Sequence, residues 1–512
     1  MPDRRRCFRL RRLAPFAAFF AVSAAAFGAP PPPPPIFPAA PPPGAAATNG
    51  GLERQLAAIL DAPELQGASV GVIVRALGAN GRIVFARNAD LLLVPASNQK
   101  ILTAAAALMR LGPDYVFVTR LGGVGARDGS MWRGDLVLIG AGDPSLSSAR
   151  LRELARAVRA KGMRRVTGRI VADDSRFDDK RLGVGWQWDD EPFDYQPQVS
   201  ALNVDENVVT VRVASGRAPG GPAIVTLDPP TGYVRVVGTV RTMAVKEAAG
   251  GVTFDRARGR NDLLVNGALA VGAKAATGTL TVEEPSLFAA TRLGELLSEE
   301  GIVVAGGPPV RASRPPSRLT PLAESASAPL SVLVRDMMKR SDNLYAETLL
   351  KAVGAAADAT GPGTTAGGAR SASALVAQAG GDPAAVSLRM ADGSGLSRLD
   401  LVTPRILADL LAYLADPAKA GPSVSRAFGD ALPIGGVDGT LRNRFQDTLA
   451  RGVVRAKTGS LSGVSALSGY VTTKIGEPLV FSILMNNVLA GTAAARRAQD
   501  AFVLVLMDVP TR

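Results

Sequence analysis

The sequence predicts an α/β fold that opens the chain, is interrupted by a long insertion and resumes near the end. Three observations carry this. Helical and strand patterns alternate over residues 52–111 and again over residues 457–507. A helix, a Lys/Glu-Gly-Met/Ile turn and a β-branched strand occur in that order twice, at residues 147–172 and 286–304. Between the copies, residues 208–280 are rich in Val, Thr and Gly, alternate in polarity and show no convincing helix, so they read as an all-β insertion.

Taken in order, residues 52–60 form a helix: Leu52, Leu56, Ile59 and Leu60 recur at helical spacing and Pro63 lies just beyond the end. Residues 68–74 and 83–86 read as strands of a hairpin around Gly78-Ala79-Asn80-Gly81. Pro95 and Ala96 lead into a helix over residues 97–111, which Gly112-Pro113 ends. Ser97 then stands at the helix N-terminus, where free N–H groups and the positive end of the dipole collect. The duplicated units supply strand 136–139, helix 147–160 and strand 165–172, then helix 286–299 and strand 303–304, and are expected to pack on one sheet. From residue 328 the periodicity turns helical, over 330–339, 344–354, 371–380 and 403–414, with a loop over 361–368 and Pro404 in the first turn of the last helix. Strands over 465–472 and 479–486 and a helix over 492–507 follow.

The first residues read as an export leader. Arg4, Arg5, Arg6, Arg9, Arg11 and Arg12 precede an apolar stretch over 13–29, and Ala24-Ala25-Ala26 offers a small-residue cleavage site. The apolar stretch falls short of the about 20 residues that a membrane-spanning helix needs. Residues 1–29 are therefore read as a signal peptide, with an uncleaved membrane anchor as the alternative, and residues 30–51, Pro-rich and then Gly-rich, as a tether. The folded part, about 460 residues, suits two to four domains. Cys7 is the only cysteine and lies ahead of the apolar core, unlike a lipid-acceptor cysteine. The formal charge of +13 is scattered, with no basic run typical of a nucleic-acid-binding arm.

The chain contains no histidine. A Ser-His-Asp triad, a Cys-His pair and a His-ligated metal are thereby excluded, and without the leader no cysteine remains for structural zinc. A nucleophilic serine must pass its proton elsewhere. Lys100, three residues after Ser97 and so on the same helix face, is a credible acceptor. The apolar run over 101–108 buries that helix nearly all round, and burial lowers a lysine pKa towards that of a base. Only 10 of the 58 basic residues are lysines, which directs attention to each lysine, since arginine does not deprotonate in proteins.

Ser-x-x-Lys by itself is weak, with roughly 0.7 chance matches expected at this composition. Ser341-Asp342-Asn343, at a break between two helices, is equally weak alone. Lys457-Thr458-Gly459 is stronger, with about 0.05 matches expected. In this order the three form the motif set of penicillin-binding proteins and class A β-lactamases.

With these motifs the chain resembles the D-Ala-D-Ala carboxypeptidase/endopeptidases of the penicillin-binding protein 4 type (peptidase family S13, low-molecular-mass class C). Further stretches that carry the resemblance are Ala141-Gly142-Asp143-Pro144, Asp173-Asp174-Ser175-Arg176-Phe177, Ser200-Ala201-Leu202-Asn203, Asp392-Gly393-Ser394-Gly395-Leu396-Ser397-Arg398 and Gly436-Val437-Asp438-Gly439-Thr440. The resemblance implies a transpeptidase-like domain, an antiparallel sheet with a helical subdomain, carrying two nested insertions of which the inner is mainly β. Residues 52–118 and 316–512 would form the catalytic domain, 119–207 and 281–315 the inserted α/β domain, and 208–280 the inner domain. A class A β-lactamase has a far shorter interval between its first two motifs.

The resemblance also implies roles. Ser97 would be the nucleophile and Lys100 its base, with Lys457 as a neighbouring cation; Ser341 would relay the proton and Asn343 hold the substrate amide. Thr458 and Ser460 would grip a terminal carboxylate, and the N–H groups of Ser97 and of Ser460, beyond Gly459, would form the oxyanion hole. Asp173 and Phe177 would line a pocket for the diaminopimelate side chain, with a surface turn as the equally open alternative. Leu461 stands where a polar residue is expected, which leaves the side-chain preference open. The implied partners are peptidoglycan stem peptides and, as covalent inhibitors, β-lactams; no cofactor or metal is implied, and the location is periplasmic. A β-lactamase or esterase using the same Ser-Lys pair, and an inactive envelope-binding protein, remain alternatives.

Overall fold

The computed structural model describes residues 49–512 apart from 79–80, 246–250, 313–317, 359, 381–387 and 510–512. The expected signal peptide, nearly all of the tether and the Ala79-Asn80 part of the first turn lie outside the described residues. The first helix, Asn49–Leu60, starts three residues earlier than its apolar spacing suggests.

The central sheet has five antiparallel strands in the order Arg455–Leu461, Val464–Thr472, Pro478–Asn486, Ser69–Ala76, Ile83–Arg87. Its strands alternate between two cores, as the two-residue period of a strand requires. Val72, Val74, Leu467, Val471, Phe481 and Ile483 pack on one side with the Asn49–Leu60 helix and the closing helix Gly491–Leu506. Ile73, Ala466, Tyr470, Val480 and Leu484 face the helical layer on the other side. At the centre of that layer the helix Gln99–Leu111 is buried along Gln99 to Leu108, as its apolar run predicts. The helices Leu330–Arg340, Asn343–Ala357, Thr365–Gly380 and Pro404–Ala415 surround it.

A second sheet lies between these elements in the sequence. Val118–Asp128 and Met131–Ile139 pair antiparallel, and Arg165–Val166 and Ile170–Asp173 run parallel to the latter. The second copy of the duplicated unit joins the same sheet: Val303–Val304 pairs with Arg165–Val166. Thr320–Ala326 closes its edge against Val118 to Gly123, so the sheet extends beyond the residue-315 boundary drawn from the sequence. The helices Ser148–Ala160 and Pro285–Glu299 bury Leu151, Leu154, Val158, Phe288, Leu293 and Leu296 in one core with this sheet. Among the described residues, 208–280 hold only strands, arranged as a three-stranded and a four-stranded sheet.

Three helical segments differ from the sequence reading. Residues 365–368, the second half of the loop expected over 361–368, are helical. A Cβ at Gly368 would lie 2.1 Å from the Leu350 carbonyl, so the glycine marks a close helix crossing and not a turn. The short helices Pro417–Ala420 and Pro422–Ala431 are unforeseen; each has proline in its first turn, where the missing N–H costs no hydrogen bond.

Candidate active site

Three segments far apart in sequence converge at Ser97. The residue sits not in the α-helix but in the 3-10 turn Ala96–Asn98 that leads into it. Ala96 is held at a φ of +48°, a left-handed conformation that alanine adopts only when its surroundings enforce it. Those surroundings are tight: a Cβ at Gly395 would fall 1.8 Å from the Ala96 carbonyl, and one at Gly459 would fall 2.7 Å from the Pro95 carbonyl and 3.1 Å from the Ser97 nitrogen. Asn98 Nδ2 donates to the Lys457 carbonyl at 3.0 Å, fastening the turn to the edge strand Arg455–Leu461.

Lys100 Nζ donates to Ser97 Oγ at 2.9 Å, to Asn343 Oδ1 at 2.6 Å and to the Ser394 carbonyl at 2.7 Å. Its side chain is fully buried, whereas Ser97 is half-buried and reachable. Burial lowers the Lys100 pKa to about 8, against the opposing pull of Asp392, Glu347, Asp342 and Asp400. Lys457 Nζ donates to Ser341 Oγ at 2.8 Å and to the Thr458 carbonyl at 2.9 Å. Burial first, and the neighbouring Lys100 charge second, push Lys457 well below the ordinary lysine value. Burial is the leading cause for both lysines, and the repulsion between their charges, which is mutual, adds to it.

Ser341 closes the Leu330–Arg340 helix at a φ of +64°, and Asp342 caps the next helix by accepting from Tyr345 N. The capping turn is thus also the device that aims Ser341 and Asn343 inward. Asn343 Nδ2 donates to the Tyr195 carbonyl at 2.7 Å, so both ends of its amide are held by protein.

The sequence reading missed the buried carboxylates behind Lys100. Glu347, one turn after Asn343, accepts from the N–H groups of Gly393 and Ser394 at 2.9 and 2.7 Å and so fixes the carbonyl that Lys100 touches. Asp392 accepts from the N–H groups of Gly395 and Ser397 at 2.6 and 2.7 Å and from Trp186 Nε1 at 2.8 Å. Asp400 accepts from Ala391 N at 2.6 Å. Burial, with Asp392 adding repulsion, raises Glu347 to about 8 and holds Asp400 well above the usual carboxylate range. The Asp392-to-Arg398 stretch was visible as a motif, but its role as a backbone clamp depends on contacts across about 300 residues of chain.

On the solvent side, Thr458 Oγ1 donates to Thr440 Oγ1 at 2.7 Å, and Arg496 Nη2 of the closing helix donates to Ser460 Oγ at 3.2 Å. Asp173 and Phe177 lie elsewhere. Phe177 is buried in the core, its ring end 2.5 Å from where a Gly142 Cβ would be, and does not wall a binding surface. Asp173 ends the Ile170–Asp173 strand, accepts from Ser175 N at 3.1 Å, and lines a separate cleft of about 730 Å³ with Tyr115, Arg120 and Arg176. Asp173 thus lines a pocket, as its residue type suggested, but one that none of Ser97, Lys100, Ser341, Asn343 and Lys457 lines.

A serine hydrogen-bonded to a buried lysine, faced by a second lysine on an edge strand that holds a second serine at a helix junction, defines a serine acyl-transfer enzyme of the penicillin-recognising class. The family model for D-Ala-D-Ala carboxypeptidase 3 (S13) matches residues 52–509. The chain is 39% identical over 476 residues to a D-alanyl-D-alanine carboxypeptidase of an Actinomadura species, covering 89% of this chain and 84% of that one. It superposes on the crystal structure of penicillin-binding protein 4 from Haemophilus influenzae with a TM-score of 0.75 at 27% identity, covering 88% of this chain and 98% of that one. The same H. influenzae protein complexed with a β-lactam superposes with a TM-score of 0.70 at 26% identity, with the same coverage. The chain belongs to the D-Ala-D-Ala carboxypeptidase 3 (S13) family.

Proposed function

We propose that this serine-type D-Ala-D-Ala carboxypeptidase cleaves peptidoglycan stem peptides through an acyl-enzyme on Ser97. The contact that carries the reading is the 2.9 Å hydrogen bond from fully buried Lys100 to Ser97 Oγ. With Lys100 neutral, its lone pair takes the Ser97 proton as Oγ attacks the penultimate D-Ala carbonyl. The oxyanion that forms accepts from the N–H groups of Ser97 and Ser460, each donor worth about 3–4 kcal/mol of barrier. The proton passes through Ser341, which Lys457 orients, to the departing amine, and the C–N bond breaks to release D-Ala. Water attacks the ester, returns a proton to Ser97 and frees the shortened peptide. Thr458 and Ser460 hold the terminal carboxylate. Asn343 steadies Lys100 and, with substrate bound, offers its amide to the peptide.

A β-lactam acylates the same Ser97, and its tethered leaving group stays to block water. Among the described residues no helix is long and apolar enough to cross a membrane, and the basic-then-apolar first residues direct the enzyme to the periplasm.

The test compares wild type with Ser97→Ala on a stem pentapeptide and on a fluorescent penicillin. Wild type releases D-Ala and carries a long-lived adduct, and the variant does neither. Rapid penicillin turnover would point instead to a β-lactamase, and equal slow release of D-Ala by both proteins would leave an envelope-binding protein.

A further inference from the structure

We infer that Arg496 is a specificity-determining residue that selects substrates ending in a free carboxylate. The inference rests on the proposed acyl-enzyme chemistry at Ser97 and deepens it.

The argument starts from strand geometry. Ser460 and Ser465 are directly opposed across the pair Arg455–Leu461 and Val464–Thr472, so their side chains share one face of the sheet. Thr458, two residues before Ser460, shares it as well. The closing helix Gly491–Leu506 covers that face, and a buried network fixes its register. Gln499 is fully buried and donates to Ser465 Oγ at 3.1 Å, while Arg444 donates to Gln499 Oε1 at 3.2 Å and to Asp500 at 2.6 Å. Arg496 lies three residues before Gln499, on the same helix face, and reaches Ser460 Oγ at 3.2 Å.

The surroundings leave this guanidinium open to an anion. Among the described residues no carboxylate lies within 4.0 Å of Arg496; the nearby Asp500 is engaged by Arg444. Arg496 and Ser460 are both exposed, so the remaining guanidinium N–H groups point to solvent beside the edge strand. A donor set of the Thr458 and Ser460 hydroxyls backed by an unpaired guanidinium matches a carboxylate, which arginine binds through two parallel N–H groups. A substrate whose C-terminal D-Ala is amidated brings no such charge. Arg496 therefore favours a leaving group whose α-carboxyl is free over one in which it is amidated.

The experiment measures kcat/KM of the full chain on paired stem pentapeptides that differ only in a C-terminal acid or amide. Arg496→Gln is expected to lower the acid-over-amide preference about tenfold, mainly through KM, the size of one charge-assisted hydrogen bond. Arg496→Lys restores part of it. Arg497→Gln, an equally exposed neighbour that removes the same charge, leaves the preference at the wild-type value. The inference is overturned if Arg496→Gln keeps the wild-type preference, or if Arg497→Gln lowers it as much. Failure of the underlying reading would look different, since wild type would then release no D-Ala from the acid and form no penicillin adduct on Ser97.

Discussion

The surroundings of Ser97 and the cleft beside Asp173 are built from similar residue types and do different things. The Asp173 cleft is roomy, at about 730 Å³, and carries two arginines and a carboxylate, yet its charged groups are exposed or held by local backbone. Around Ser97 two lysines are fully buried, within hydrogen-bond reach of two serines, with three buried carboxylates behind them. Desolvated charge, more than cavity volume, marks the chemistry.

The largest test of that contrast is Lys100→Arg. The charge is kept but the base is lost, because arginine stays protonated, so penicillin acylation falls about a thousandfold. Mass spectrometry of the adduct against time reads this. A folded variant that acylates at the wild-type rate would remove Lys100 from the base role.

The pH dependence is the next largest effect. The base must be neutral, and burial lowers Lys100 to about 8. Acylation therefore rises with pH through about 8 and runs about tenfold below its plateau at one unit lower. Glu347→Gln keeps an acceptor oxygen for the Gly393 and Ser394 N–H groups but removes a carboxylate that pulls the Lys100 pKa upward. Its midpoint moves to lower pH, and stopped-flow acylation across pH 6–10 measures both curves. An upward shift would mean that the loop, and not the charge, dominates.

The smallest effect belongs to the other region. Asp173→Asn should change kcat/KM on a diaminopimelate-containing pentapeptide by less than about twofold, as for a buried strand-end group whose hydrogen bond is to its own turn and not to the reacting atoms. A tenfold rise in KM would restore Asp173 to the substrate site.

Legibility in the sequence follows the same division. Ser97 with Lys100, Ser341 with Asn343, and Lys457 with Thr458 are each local pairs whose spacing encodes their joint placement, and the structure brings the three pairs together. Glu347 and Arg496 reach the site only through helix packing and sheet pairing, so no short spacing announces them. The period-two strands and the apolar nucleophile helix were readable for the same local reason. The edge strand Thr320–Ala326 was not, because its partner lies about 200 residues earlier.

The central sheet joins Ser69–Ala76 to Pro478–Asn486, and the turn bearing Ser97 is fastened to the carbonyl of Lys457. A nascent chain holding Ser97 and Lys100 but not yet residues 455–486 has no neighbouring strand for the first hairpin and lacks the Lys457 carbonyl that fastens the Ala96–Asn98 turn. Reactivity thus arrives late in biosynthesis and all at once. A half-made polypeptide is chemically mute, and a wall-cutting serine gains its edge only when nearly the whole molecule has folded around it.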